Sequence, residues 1–152
     1  MTPEEQIRAS AESVVKEFGP ISGLGTAFGY KRASVEWVDD YIERARNGEH
    51  FSAEQIESLV QGFSCFLGEC IRNAYGGQWQ QREGSWGIFF QDSSGAFPYN
   101  KVRKQFDDGG AAGQSILSFF DVLPRILSGE LDRQKQPVLT RLKAIWGRWF
   151  GA

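Results

Sequence analysis

Glu69 is the residue of this sequence whose side chain is best placed to do chemistry. It is flanked by a glycine and a cysteine in a predicted long helix, so we expect its carboxylate to be partly buried. Burial raises the pKa of a carboxylic acid, which suits a general base or a contact to a ligand. General acid–base catalysis usually needs a second group, and none is spaced to join Glu69. The favoured alternative is a structural carboxylate paired with a neighbour, namely Arg72, Asn73, Trp79 or Trp86.

Other catalytic groups are scarce. His50 is the only histidine, and we expect it in a solvated loop. Cys65 and Cys70 lie about 140° apart around the predicted helix, which predicts two buried thiols that do not bridge each other. No Ser-His-Asp, Cys-His or multi-ligand metal set can be assembled from these residues. The sequence therefore assigns no catalytic residue, metal or cofactor, although an enzyme that uses only Asp, Glu, Arg and backbone groups stays open.

A glycine-rich loop is the remaining motif with a possible chemical role. Gly23, Gly25 and Gly29 precede Lys31 and Arg32, and a helix follows. Such an arrangement can hold a phosphate at the amino end of a helix. The spacing matches neither the dinucleotide fingerprint nor the P-loop, and a helix rather than a strand precedes it. A plain connecting loop is the favoured interpretation.

Three helices are predicted in the first half of the chain. The first has Thr2 and Glu5 as a capping box and ends at Gly19. The second begins after a Ser34 cap and ends at Gly48. Its outer face is predicted to be exposed and acidic, with Glu36, Asp39, Asp40 and Glu43.

The third helix is predicted to be the long central helix of the core. Ser52 and Gln55 form a capping box at its start, and Gly76 ends it. A wide apolar face runs along it. Gly62 and Gly68 lower its helix propensity, which indicates that other elements pack closely there.

An antiparallel hairpin follows, with Glu83-Gly84 as its turn. This register places Trp79 opposite Ile88 and Gln81 opposite Trp86, so both tryptophans share the face that covers the long helix. A short strand at 96–97, a short helix carrying Val102 and Phe106, and a helix over 114–127 complete the prediction. We therefore expect a helix-rich α+β single domain over residues 1–130, with a long central helix on a small antiparallel sheet of two or three strands.

Charge is segregated along the chain. The 152 residues carry 17 Lys and Arg against 19 Asp and Glu, a net charge of −2 that argues against a nucleic-acid partner. No apolar run is long enough for a spanning helix, and no secretory signal is present, so cytoplasmic residence is expected. Residues 131–152 hold five basic side chains and one acidic one, and predict a basic amphipathic helix with Trp146 and Trp149. That helix would dock on the core, occupy a partner's groove, or contact a membrane surface.

Three short segments carry a resemblance to a known family. They are Phe66-Leu67-Gly68-Glu69, Gly76-Gly77-Gln78-Trp79 and Phe97-Pro98-Tyr99-Asn100-Lys101-Val102. Together they resemble a family of small bacterial domains of unknown function, over about residues 55–125. The resemblance implies a bacterial source and paired structural roles for Glu69, Trp79 and Lys101, and it brings no catalytic residues.

Three functions are compatible with these features. The leading hypothesis is a non-enzymatic protein-interaction module. Its most specific form is a bacterial immunity protein that sequesters a toxin. Asp39, Asp40 and Glu43 would then steer a basic partner towards the protein. The alternative is a small-ligand domain or weakly equipped enzyme, with a pocket between the long helix and the Trp79/Trp86 sheet and with Glu69 and Arg72 as its polar groups. The third is a peripheral membrane adaptor held by the carboxy-terminal helix.

Overall fold

The protein is a helix-rich α+β domain. The computed structural model describes residues 1–48, 50–91 and 94–128. Its helices are α1 (Pro3–Phe18), α2 (Arg32–Asn47), α3 (Ala53–Tyr75), α4 (Pro98–Asp108) and α5 (Ile116–Leu127). Its strands are β1 (Gln78–Arg82), β2 (Ser85–Phe89) and β3 (Gly95–Ala96), which form one antiparallel sheet in that order. The predicted fold class is confirmed.

Helix capping explains where α1 and α3 begin. Thr2 Oγ1 accepts the Glu5 N–H at 3.2 Å, and the Glu5 carboxylate accepts the Thr2 N–H at 2.7 Å. Ser52 and Gln55 exchange the same pair of hydrogen bonds at the start of α3. Each capping box satisfies two backbone donors that a helix terminus otherwise leaves unpaired. Both predicted helix starts are therefore confirmed.

The start of α2 differs from the prediction. The helix begins at Arg32, three residues earlier than a Ser34 cap predicts, and Lys31 occupies the N-cap position without a side-chain hydrogen bond. Ser34 is buried, and its hydroxyl accepts the Gly29 N–H at 2.9 Å. The serine therefore closes the glycine-rich loop instead of capping the helix. This bond supports the interpretation of that segment as a connecting loop.

The hairpin has the predicted register. Trp79 pairs with Ile88, and Gln81 pairs with Trp86. Glu83 has φ of 52° and Gly84 has φ of 81°, as a two-residue hairpin turn of the primed kind requires. β3 is shifted by one residue from the prediction, because Phe97 takes the N-cap position of α4.

α3 lies at the centre of the core, as its apolar face predicts. Phe63, Phe66 and Leu67 on α3 have no exposed surface. A Cβ at Gly62 would lie 3.2 Å from Val14 of α1, and a Cβ at Gly68 would lie 2.1 Å from the Trp79 ring. The two glycines therefore let α1 and the hairpin approach α3 closely, which confirms the close packing predicted there.

Candidate functional site

Glu69 is a structural carboxylate that holds Trp79 in place. Its Oε2 accepts the Trp79 indole N–H at 3.0 Å and forms a 2.8 Å ion pair with Arg72. Its Oε1 lies 3.8 Å from Arg8 Nε, and 11% of its side chain is exposed. Two cations and an indole donor therefore compensate the charge of this largely buried carboxylate. Both the Arg72 and Trp79 pairings are among those predicted, whereas Asn73 donates to the Tyr30 carbonyl at 2.9 Å.

A cavity of about 340 Å³ opens beside the hairpin. Its walls come from α1, from one face of α3, from the hairpin and from the start of α4. Trp79 and Trp86 both line it, which places it where the sequence predicts a pocket. Glu69 and Arg72 do not line it, contrary to the prediction; they pair with each other, and Glu69 binds the Trp79 indole N–H.

The polar groups that do line this cavity are neutral. Burial, and secondarily Glu69, raises the pKa of the Cys65 thiol to about 11. The hydrogen bond to Glu57 raises the pKa of the Tyr99 phenol. Both side chains therefore carry their protons near neutral pH. Cys65 is half-buried instead of fully buried as predicted, while Cys70 is buried and burial raises its pKa well above the ordinary value.

A hydrogen-bonded cluster lies at the cavity's edge and joins α3 to α4. The Tyr99 hydroxyl donates to Glu57 Oε1 at 2.8 Å, and Arg103 pairs with Glu57 Oε2 at 3.1 Å. Gln61, one turn along α3, also donates to Glu57 at 3.3 Å. The bonds from Tyr99 and Gln61 lower the pKa of the Glu57 carboxyl.

A groove of about 770 Å³ lies between α1 and the first half of α3. Val14, Phe18 and Phe63 belong to the core at its base. Ile21 and Phe51 also line it, with 66% and 37% of their surfaces exposed. The sequence does not predict this groove, because the groove depends on how closely α1 approaches α3.

The predicted acidic surface of α2 is largely engaged within the fold. Asp39 accepts hydrogen bonds from the Ser115 hydroxyl at 2.8 Å and from the Leu117 N–H at 3.3 Å. Glu43 accepts the Gly110 N–H at 3.0 Å. Both carboxylates are half-buried instead of exposed as predicted, and Asp40 is exposed. Because the donors lie 67 to 78 residues further along the chain, local sequence pattern did not reveal these bonds.

Lys101 is buried in the core, which sequence reasoning from the residues missed. Its ammonium donates to Gln114 Oε1 at 3.1 Å and lies 5.8 Å from the centre of the Phe119 ring. Burial, with a contribution from Lys104, lowers the pKa of Lys101 to about 8. Helical spacing could have predicted this burial, because Pro98, Lys101 and Gln105 lie on the same buried face of α4. Gln114 precedes α5 rather than beginning it, since Ser115 is the N-cap.

The predicted basic helix over residues 131–152, with Trp146 and Trp149, lies outside the described residues. Within residues 1–48, 50–91 and 94–128, no group of three or more His, Cys, Asp and Glu side chains is arranged to hold a metal ion. None of the described helices is both long enough and apolar enough to cross a membrane.

Comparisons with protein-family models, with curated proteins and with solved structures found no match to this chain.

Proposed function

We propose that this protein is a non-enzymatic binding domain that holds a protein partner in the groove between α1 and α3. The observation that carries the proposal is the exposure of Ile21 and Phe51 beside one groove. Among the described residues, only Met1 and Tyr99 are comparably exposed large hydrophobic side chains. Exposed apolar side chains grouped at one concave surface are typical of protein interaction sites.

The charge of the groove favours a basic partner. Glu17 and Glu57 line it, and no lysine or arginine of the described chain does. Arg103 already pairs with Glu57, so Glu17 supplies most of the available negative charge. An apolar segment flanked by Lys or Arg complements this surface, because opposite charges raise association rates and fix orientation.

The role that we propose is sequestration of another protein. The most specific form of this proposal is an immunity protein that neutralises a toxin. The groove, and not α2, supplies the negative charge for this role, because Asp39 and Glu43 are engaged with the loop before α5. A bacterial source and cytoplasmic residence remain predictions from the sequence. Peripheral membrane attachment depends on residues 131–152 and also stays a prediction.

The test is affinity capture from the source cells with wild-type, Ile21→Glu and Phe51→Glu chains. We expect one stoichiometric partner on the wild type and at least about tenfold less on either variant, because a charge replaces an apolar contact. Gln80→Glu adds the same charge at an exposed position on β1 and should leave capture unchanged. Matching circular dichroism spectra would show that the variants fold. Equal capture by all four chains, or no partner, would contradict the proposal.

A further inference from the structure

The cavity beside the hairpin has the walls of a small-molecule site. Its volume of about 340 Å³ is at the lower end of the range typical of ligand pockets. Trp79, Trp86, Phe97 and Tyr99 supply aromatic surface to it. Such surfaces bind planar rings through stacked or edge-to-face contacts.

One of these aromatic walls is fixed before any ligand arrives. The Trp79 ring lies on Gly68, where a Cβ would approach it to 2.1 Å, and its N–H is held by Glu69 at 3.0 Å. Arg72 in turn pairs with Glu69 at 2.8 Å. Because the ring is already ordered, a ligand that stacks on it loses little free energy in ordering the site.

The cavity lacks a charged counterpart for an ionic ligand. No Asp, Glu, Lys, Arg or His of the described chain lines it. The pKa of the Cys65 thiol, about 11, and the raised pKa of the Tyr99 phenol keep both groups neutral near pH 7. An ionised ligand would lose its hydration here without gaining a partner of opposite charge, which is unfavourable.

Polar groups remain available to orient a neutral ligand. The Asn100 amide and the Ser85 hydroxyl line the cavity, and neither side chain has a hydrogen bond within the described part of the chain. An amide supplies both donors and an acceptor. A ligand with one amide or hydroxyl beside its ring would satisfy these groups while the ring packs on the tryptophans.

We propose that this cavity binds a small neutral molecule that contains an aromatic ring and an amide or hydroxyl group. This site is separate from the α1–α3 groove except at Gln61, which lines both. Binding here therefore goes beyond the proposed partner binding, and each can be tested while the other fails.

The experiment compares phenylacetamide with phenylacetate, which have the same ring and differ in charge. Titration calorimetry and ligand-observed NMR near pH 7 on the full-length protein should show a millimolar or tighter Kd for phenylacetamide, as a ligand of this size allows. Phenylacetate should bind at least about tenfold more weakly, a difference of about 1.4 kcal/mol. Equal affinities, or no binding of phenylacetamide up to its solubility, would overturn the proposal.

Two variants locate the binding. Ser85→Trp places a large ring in the cavity from the exposed first position of β2, and Gln80→Trp places the same ring at an exposed position that does not line it. We expect the first to weaken phenylacetamide binding about tenfold or more and the second to leave it unchanged. Because both changes are at exposed positions, both chains should fold. Equal affinities of the two variants would place the binding elsewhere and overturn the assignment.

Discussion

Lys101 places an ionisable amine in the core, where its protonated form is costly. Its side chain has no exposed surface, and burial lowers its pKa from 10.5 to about 8. Between these two pH values the unfolded chain holds more protons than the folded one, so this residue makes stability rise with pH. Below about pH 8 the amine is protonated in both the folded and the unfolded chain. Its burial then lowers the free energy of unfolding by the full amount, about 3 kcal/mol for a pKa shift of this size.

We therefore predict that Lys101→Met removes a pH-dependent contribution to stability. Relative to the variant, the wild type should gain free energy of unfolding as the pH rises from about 8 towards 10.5. Urea denaturation of both chains across this range measures the difference. The comparison is needed because Cys65 and Tyr30, whose pKa values are raised to about 11 and about 12, oppose the trend in both chains.

Lys31→Met is the matched control, because Lys31 is exposed. It should track the wild type at every pH. If the free energies of unfolding of Lys101→Met and of the wild type instead change in parallel with pH, the Lys101 amine does not titrate with a lowered pKa. Its hydrogen bond to Gln114 would then compensate fully for its burial.

At the scale of elements, α2 organises the connection between α4 and α5. Arg46 donates to the Phe106 carbonyl at 3.3 Å near the end of α4. Glu43 then binds the Gly110 N–H, and Asp39 binds Ser115 and the Leu117 N–H at the start of α5. Negative charge at the amino end of a helix also interacts favourably with its dipole. The acidic face of α2 therefore caps a neighbouring helix.

We predict that Asp39→Ala destabilises the protein by about 1–3 kcal/mol, because two donors at the start of α5 lose their acceptor. Asp40→Ala, the exposed neighbour on the same helix, should change stability by no more than about 0.5 kcal/mol. Urea denaturation of both variants measures the difference. Equal effects would show that the bonds from Ser115 and Leu117 contribute no net stability.

The same elements show what the sequence could and could not predict. Signals that act within a few residues predict the structure correctly, including the capping boxes at Thr2 and Ser52 and the hairpin register of Trp79 and Ile88. The prediction of Ser34 as a helix cap is wrong, because a hydroxyl suited to capping serves equally well to close a loop. The partners of Asp39 were missed because they come from a distant segment, which periodicity cannot identify.

The cavity shows the same difference between local signals, which the sequence contains, and contacts between distant segments, which it does not reveal. Its position was predictable, because the hairpin register puts Trp79 and Trp86 on the face that covers α3. Its polar lining was not, because Asn100 lies at the start of α4 and Ser85 at the start of β2. Which polar groups meet around a cavity depends on the docking of elements that are separate in sequence.

At the scale of the whole molecule, charge divides the chain at about residue 130. Residues 1–130 hold 12 basic and 18 acidic side chains, a net charge of −6, whereas residues 131–152 are at +4. The described residues already bury a continuous core that reaches from Val14 on α1 to Ile126 on α5. A contiguous core of this kind is what lets a segment fold as a unit.

We therefore predict that a chain ending at Glu130 folds cooperatively. It should keep a helical circular dichroism spectrum, an ordered aromatic signal from Trp79, and a single urea transition. A chain ending at Gly113 is the control, because it lacks α5 and with it Ile116, Phe119 and Leu123, which are fully buried. Losing three such side chains costs more than the stability of a typical domain, so the control should be unfolded. If the chain ending at Glu130 is also unfolded, the last 22 residues belong to the folding unit, and the division by charge does not coincide with a division by stability.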